Sequence, residues 1–192
     1  TAALVMMGIS PFFRAFGTQL TVEEHLASEP EALAGLHATV RRAHRGANFA
    51  LGFAVHRMDP DAAVVHSVAL LHDFAEMLLW CHAPTLQLQM QRLQQADSTL
   101  RSSAAQLQTL NIDVADLQAS LMRAWHLPEL LTQMGDDTHA ENANVRSIEL
   151  AARLARHTAR GWENPAVPDD VADIAALLNL SLAATLQLVH EI

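Results

Sequence analysis

Val68-Ala-Leu-Leu-His-Asp-Phe-Ala-Glu76 sets an adjacent imidazole and carboxylate in the middle of an apolar run. Residues 64–71 and 74–80 on either side are mostly apolar but are interrupted by His66, His72, Asp73 and Glu76. On that count the stretch falls short of a membrane span, which needs about 20 largely apolar residues. It reads instead as two buried helices broken at His72-Asp73. Asp59-Pro60 caps the first, and Pro84 opens the helix that follows the second. Further upstream, Leu33, Leu36, Val40, Ala47, Leu51 and Val55 recur at helical spacing opposite an Arg-rich side, which predicts one long helix over Pro30–His56.

Outward from this centre the pattern stays helical. Residues 1–7 form an apolar piece that Gly8 stops, and Ser10-Pro11 supplies a cap and first-turn proline for a helix bearing Phe12, Phe13 and Phe16. Thr21-Val-Glu-Glu24 is a capping box. Residues 87–108 are rich in Gln and Ser yet keep Met90, Leu93, Leu100 and Leu107 on one face, predicting a solvated helical pair. Asn111-Ile-Asp113 is a turn and cap before a helix through Leu117, Leu121 and Trp125, and Leu127-Pro128 opens the next. Residues 135–144 read as a polar loop. Ile148, Ala151, Ala152 and Ala155 then mark a helix ended by Gly161, and two last helices are predicted over residues 169–178 and 181–190.

The composition agrees with an all-α chain. Of the 192 residues, 51% are hydrophobic and none is Tyr, so a substantial core is available and strand formers are few. The formal charge is -9 and all 12 basic residues are Arg, a balance that disfavours nucleic acid and anionic membrane as partners. The single Cys81 cannot form an internal disulfide and has no activating base beside it, and no secretory leader is visible, so a cytoplasmic location is expected.

The His72-Asp73 run, with Val40-Arg-Arg-Ala-His44 before it and Trp125-His-Leu-Pro-Glu129 after it, resembles the HD-superfamily signature. The Leu110-Asn-Ile-Asp113 turn leading to Trp125-x-Leu-Pro128 is similar to the HDOD family in particular. That resemblance implies a multi-helix, HD-related bundle preceded by part of a smaller helical lobe. Residues 1–192 would be one domain, with 1–29 a remnant of the N-terminal lobe and 30–192 the HD-like lobe. The family site pattern is an early His, the His-Asp pair and a late Asp. His44, His72 and Asp73 match the first three, but Ala152 stands at the late acid, and a methyl group coordinates nothing. Glu76 stands where related cyclic-dinucleotide phosphodiesterases carry Lys, Val114 replaces a common His, and Asp136-Asp-Thr-His139 lacks a paired His pattern.

The expectation is therefore a degenerate metal site with no catalytic residue and no cofactor. His44, His72 and Asp73 would be vestigial, satisfying one another as buried polar groups, with Asp73 accepting from an imidazole. By resemblance the chain is a bacterial-type signalling or regulatory module that binds a signalling protein or a small second-messenger ligand. The alternative is a metal-dependent HD phosphohydrolase or cyclic-nucleotide phosphodiesterase holding a divalent metal on three ligands, as catalytic zinc sites do. An apolar ligand pocket between the lobes is a third reading.

Elsewhere, Arg146, Arg153, Arg156 and Arg160 share one helical face, with His157 beside them. They make either an anion or partner face or a solvated one paired with acids such as Glu149. Arg41, Arg42 and Arg45 flank His44 as a second basic set, which makes either a nearby anion site or a solvated face. Trp80 and Trp125 are expected in the core and Trp162 nearer the surface, with His66 and His82 as packing or surface residues.

Overall fold

The computed structural model describes residues 2–97, 99–127, 129–132 and 142–192. Their secondary structure is all helix: α1 (Ala2–Met7), α2 (Ile9–Phe16), α3 (Val22–His25), α4 (Pro30–His56), α5 (Ala62–Leu70), α6 (Phe74–His82), α7 (Pro84–Ala96), α8 (Ser102–Leu110), α9 (Val114–Ala124), α10 (Glu129–Thr132), α11 (Ala143–His157), α12 (Val167–Leu178) and α13 (Leu182–Glu191). The fold is all-α, as the sequence predicts.

Local chemistry explains most of the boundaries. Pro30 and Pro84 sit in the first turns of α4 and α7, where the missing N–H costs nothing. The Thr21 capping box is formed in full, with Glu24 N–H donating to the Thr21 hydroxyl and Thr21 N–H donating to the Glu24 carboxylate. Asp113 caps α9 by accepting from Ala115 N–H, and Asn111 and Asn179 end α8 and α12 in the left-handed region that Asn tolerates. Several expected boundaries move: α12 begins at Val167 rather than 169, and the N-cap of α5 is Asp61 rather than Asp59-Pro60. Ser10 lies inside α2, whose N-cap is Gly8. The helix through Ala152 stops at His157 rather than at Gly161, with Thr158 as its C-cap, and the Arg45 side chain donates to the Thr158 carbonyl. Leu127-Pro128 and the 135–144 loop fall largely outside the described residues, although α11 already begins at Ala143.

Helix α4 is the axis of the molecule. Its C-terminal half contributes Ala47, Ala50, Phe53 and Ala54 to the main core, together with Val65 and Val68 of α5, Ile148, Ala151 and Leu154 of α11, and Ile174 of α12. Its N-terminal half joins a separate small cluster, in which Ala32 and Leu36 pack with Leu26 and Trp80. Small residues let α11 lie close: a Cβ on Gly46 would be 3.5 Å from Ala152 Cα and 3.6 Å from Ala155 Cβ.

One expectation needs correcting. By length and composition, Ala62–His82 does qualify as a membrane-crossing helix, with 21 residues and a mean hydropathy of 1.4. It is nevertheless broken between α5 and α6, and Val65, Val68, Ala69, Phe74, Ala75 and Trp80 along it are buried. These six side chains pack into the protein core, while Val64 and Leu71 on the same stretch stay exposed.

Candidate functional site

The break between α5 and α6 brings His72 and Asp73 against the middle of α4, at the seam between the two apolar clusters. Gln118 of α9 holds the break: its Nε2 donates to the His72 carbonyl at 2.6 Å, and its Oε1 accepts from Ala75 N–H at 3.4 Å. His72 Nδ1 then donates to Asp73 Oδ1 at 2.7 Å.

The partner facing this pair is a guanidinium. Arg42 donates to Asp73 Oδ2 from Nε at 3.0 Å and from Nη2 at 2.9 Å, and Nη2 also reaches Glu76 Oε2 at 2.6 Å. The other Glu76 oxygen accepts from the Thr39 hydroxyl at 2.9 Å, and that hydroxyl accepts from Trp80 Nε1 at 3.1 Å. A continuous chain of hydrogen bonds thus runs from Trp80 through Thr39, Glu76, Arg42 and Asp73 to His72. Thr39 is 2% exposed, so its links to Trp80 and Glu76 are the most shielded from water and the costliest to leave unmade.

Electrostatics follow the geometry. Burial opposes ionisation of Asp73, but the His72 hydrogen bond and charge, together with the Arg42 guanidinium, outweigh it and hold the carboxyl below the usual carboxylate range. Burial likewise works against the Arg42 charge, and the attraction of Glu76 and Asp73 overcomes it and raises the Arg42 pKa.

The residues singled out in the sequence separate into two groups. His72 and Asp73 satisfy each other as expected, whereas His44 is exposed and makes no hydrogen bond or ion pair to either. The helical period is the reason: Thr39 and Arg42 lie three residues apart on the side of α4 that faces α6, and His44 is rotated away from it. Ala152 is buried against α4 at Gly46. Among the described residues, no three His, Cys, Asp or Glu side chains are grouped as a metal site requires. The segment 136–139 lies outside them.

The arginine face of α11 is divided. Arg153 Nε lies 2.7 Å from Asp170 Oδ1, and Arg153 also bonds Asp173, so it ties α11 to α12. His157 Nδ1 adds a 2.6 Å bond to the same Asp170, whose side chain is 2% exposed. Arg146, Arg156 and Arg160 remain exposed. Trp80 is buried, but Trp125, expected in the core, is 52% exposed and only leans on Phe74. His66 is half-buried, and His82 is exposed beside His25.

An all-helical bundle with a His-Asp pair at a helix break, facing one long helix, defines an HD-related domain. The sequence matches the HDOD domain over residues 1–141, and the chain belongs to the HDOD family. The matched range stops before α11. No curated protein and no solved structure matches the chain. Thr39 and Gln118 were missed as site residues from sequence, and Arg42, read there as part of a basic set beside His44, was not foreseen as the partner of Asp73. For Arg42 a signal existed, since a cation three residues after Thr39 falls on the stripe of α4 that meets the next helix.

Proposed function

We propose that this HDOD domain is a non-catalytic regulatory module whose HD site is degenerate, and that it acts by binding a signalling protein or a small second-messenger ligand. The observation that carries the reading is the Arg42 guanidinium between Asp73 and Glu76. An HD hydrolase needs a divalent cation beside the His-Asp pair to polarise a phosphate and activate water. Here a fixed organic cation already neutralises that carboxylate, and it is bonded through two nitrogens. A metal ion would have to displace it or sit against like charge. His44 points to solvent, and Ala152 offers no oxygen. The residues present do not fit a metal. What remains is a rigid polar seam that fixes α4, α6 and α9 relative to one another, as a scaffold presenting a binding surface requires.

The test is metal analysis of protein purified with manganese, iron or magnesium, followed by assay of a model phosphodiester. The expected result is substoichiometric metal and no turnover. Stoichiometric metal with turnover abolished by Asp73→Ala would establish the phosphohydrolase instead.

A further inference from the structure

Four arginines are drawn into the folded surface, and three have carboxylates. Arg42 has Asp73 and Glu76, Arg57 has Asp59 at 3.5 Å, and Arg153 has Asp170 and Asp173. Arg45 has none among the described residues. Its Nη1 donates to the Thr158 carbonyl at 2.9 Å, just past the end of α11, and its guanidinium lies over two rings, 5.5 Å from the centre of Phe49 and 5.3 Å from that of Trp162. One carbonyl and two ring faces orient a guanidinium but leave most of its five donors unused. Burial lowers the Arg45 pKa, and no neighbouring acid offsets it.

This unpaired cation lines a cleft of about 190 Å³ between α4, the segment after α11 and α13. Asn48, Phe49, Trp162, Val189, His190 and Ile192 line it too. On one wall the Trp162 and His190 rings stack at 4.0 Å, and His190 Nδ1 donates to the Leu186 carbonyl at 2.7 Å, which orients the ring and leaves Nε2 as its other polar atom. The cleft therefore pairs an oriented cation and two further polar side chains with an apolar floor. A mixed lining of that kind binds an amphipathic small molecule. Its volume lies below the range of about 300–1,000 Å³ usual for drug-sized ligands, which limits the occupant to roughly one ring.

We propose that this cleft binds a small organic anion, a carboxylate or phosphate carried on a single apolar ring, with the anion on Arg45 and the ring against Phe49 and Val189. A guanidinium fork matches the geometry of a carboxylate or phosphate, and its charge-assisted hydrogen bonds are about twice as strong as neutral ones. The inference rests on the regulatory reading above for its biological purpose, since it supplies that module with a ligand. Its test reads binding and not hydrolysis, so the two fail separately.

The experiment is titration of the full chain with benzoate, phenyl phosphate, inorganic phosphate and neutral benzamide, followed by Trp fluorescence and calorimetry. Benzoate or phenyl phosphate should bind, and which of the two binds more tightly identifies the anion. Arg45→Met should weaken that binding by about tenfold or more, the scale of a lost charge-assisted contact. Asn48→Trp, at an exposed position on the rim, should block the cleft while leaving the thermal transition in place. The proposal is overturned by no binding at millimolar ligand, by benzamide binding as tightly as benzoate, by inorganic phosphate matching phenyl phosphate, or by Arg45→Met binding unchanged.

Discussion

Removing the Arg42 side chain would leave Asp73 and Glu76, 15% and 29% exposed, facing each other without the cation between them. Breaking a buried ion pair from one side is costlier than the pair is favourable, because the stranded charge keeps its desolvation penalty. Arg42→Met should therefore destabilise the fold by about 2–4 kcal/mol, measured by urea unfolding at neutral pH. A change within experimental error would mean that the seam is not structural. Asp73 gives a second prediction with a defined sign. Its folded-state pKa is depressed, so its stabilisation is complete above the unfolded value of about 3.9 and is lost as pH falls below it. The stability gap between the native chain and Asp73→Asn should be constant from neutral pH down to about pH 5 and should narrow below about pH 4. A gap that stays constant to pH 2 would show that the Asp73 charge contributes nothing.

Two glycines of α4 make opposite predictions from their surroundings. A Cβ on Gly35 would collide with the six-membered ring of Trp80, displacing the indole that donates to Thr39 and anchors the small cluster. A Cβ on Gly46 would meet Ala152 and Ala155 at ordinary contact distances. Alanine gains about 1 kcal/mol over glycine inside a helix, so Gly46→Ala should be neutral or stabilising by up to that amount. Gly35→Ala should be destabilising by about 1–3 kcal/mol despite the same propensity gain. Thermal unfolding of both variants, with near-UV circular dichroism for Trp80, checks the pair. Equal effects would mean that α4 and α6 are not packed at Gly35. Helix existence was legible in the sequence wherever boundary chemistry is local: Pro30, Pro84, the Thr21 capping box and the Asp113 cap each act within a turn. The α5–α6 break was legible for the same reason. What crosses from one helix to another was not. His44 and Arg42 are two residues apart, and only the azimuth of α4 against α6 decides which of them meets Asp73, 31 positions away from Arg42. Trp125 misled for a related reason, since an apolar helical face gives no sign of whether another element covers it.

The family match and the physical domain differ in extent. Residues 1–141 carry the HDOD resemblance, yet α11 lies along α4 and supplies Ile148, Leu150, Ala151, Leu154 and Ala155 to the same core that holds Ala47, Ala50, Phe53 and Ala54. Helix α12 adds Val171, Ile174 and Leu178, and is bound to α11 through the buried Asp170, which takes Arg153 and His157 together. A chain cut after residue 141 would expose the face of α4 that is now closed by α11. Each large aliphatic side chain lost from such a core forfeits about 1.5–3 kcal/mol of burial, and Ile148, Leu154, Val171, Ile174 and Leu178 together reach the scale of a whole domain's stability, about 5–15 kcal/mol. The 1–141 fragment should therefore keep helical circular dichroism, because the 27-residue α4, α7 with its first-turn proline and the Asp113-capped α9 carry local helix signals. It should lack a cooperative thermal transition and bind a hydrophobic dye strongly, as chains with helices but no fixed packing do. The full 192-residue chain, in the same buffer, should unfold in one cooperative step. A sharp transition in the fragment with native-like dye exclusion would show that the HDOD match marks an autonomous unit, and that α11–α13 are an appendage rather than half of its core.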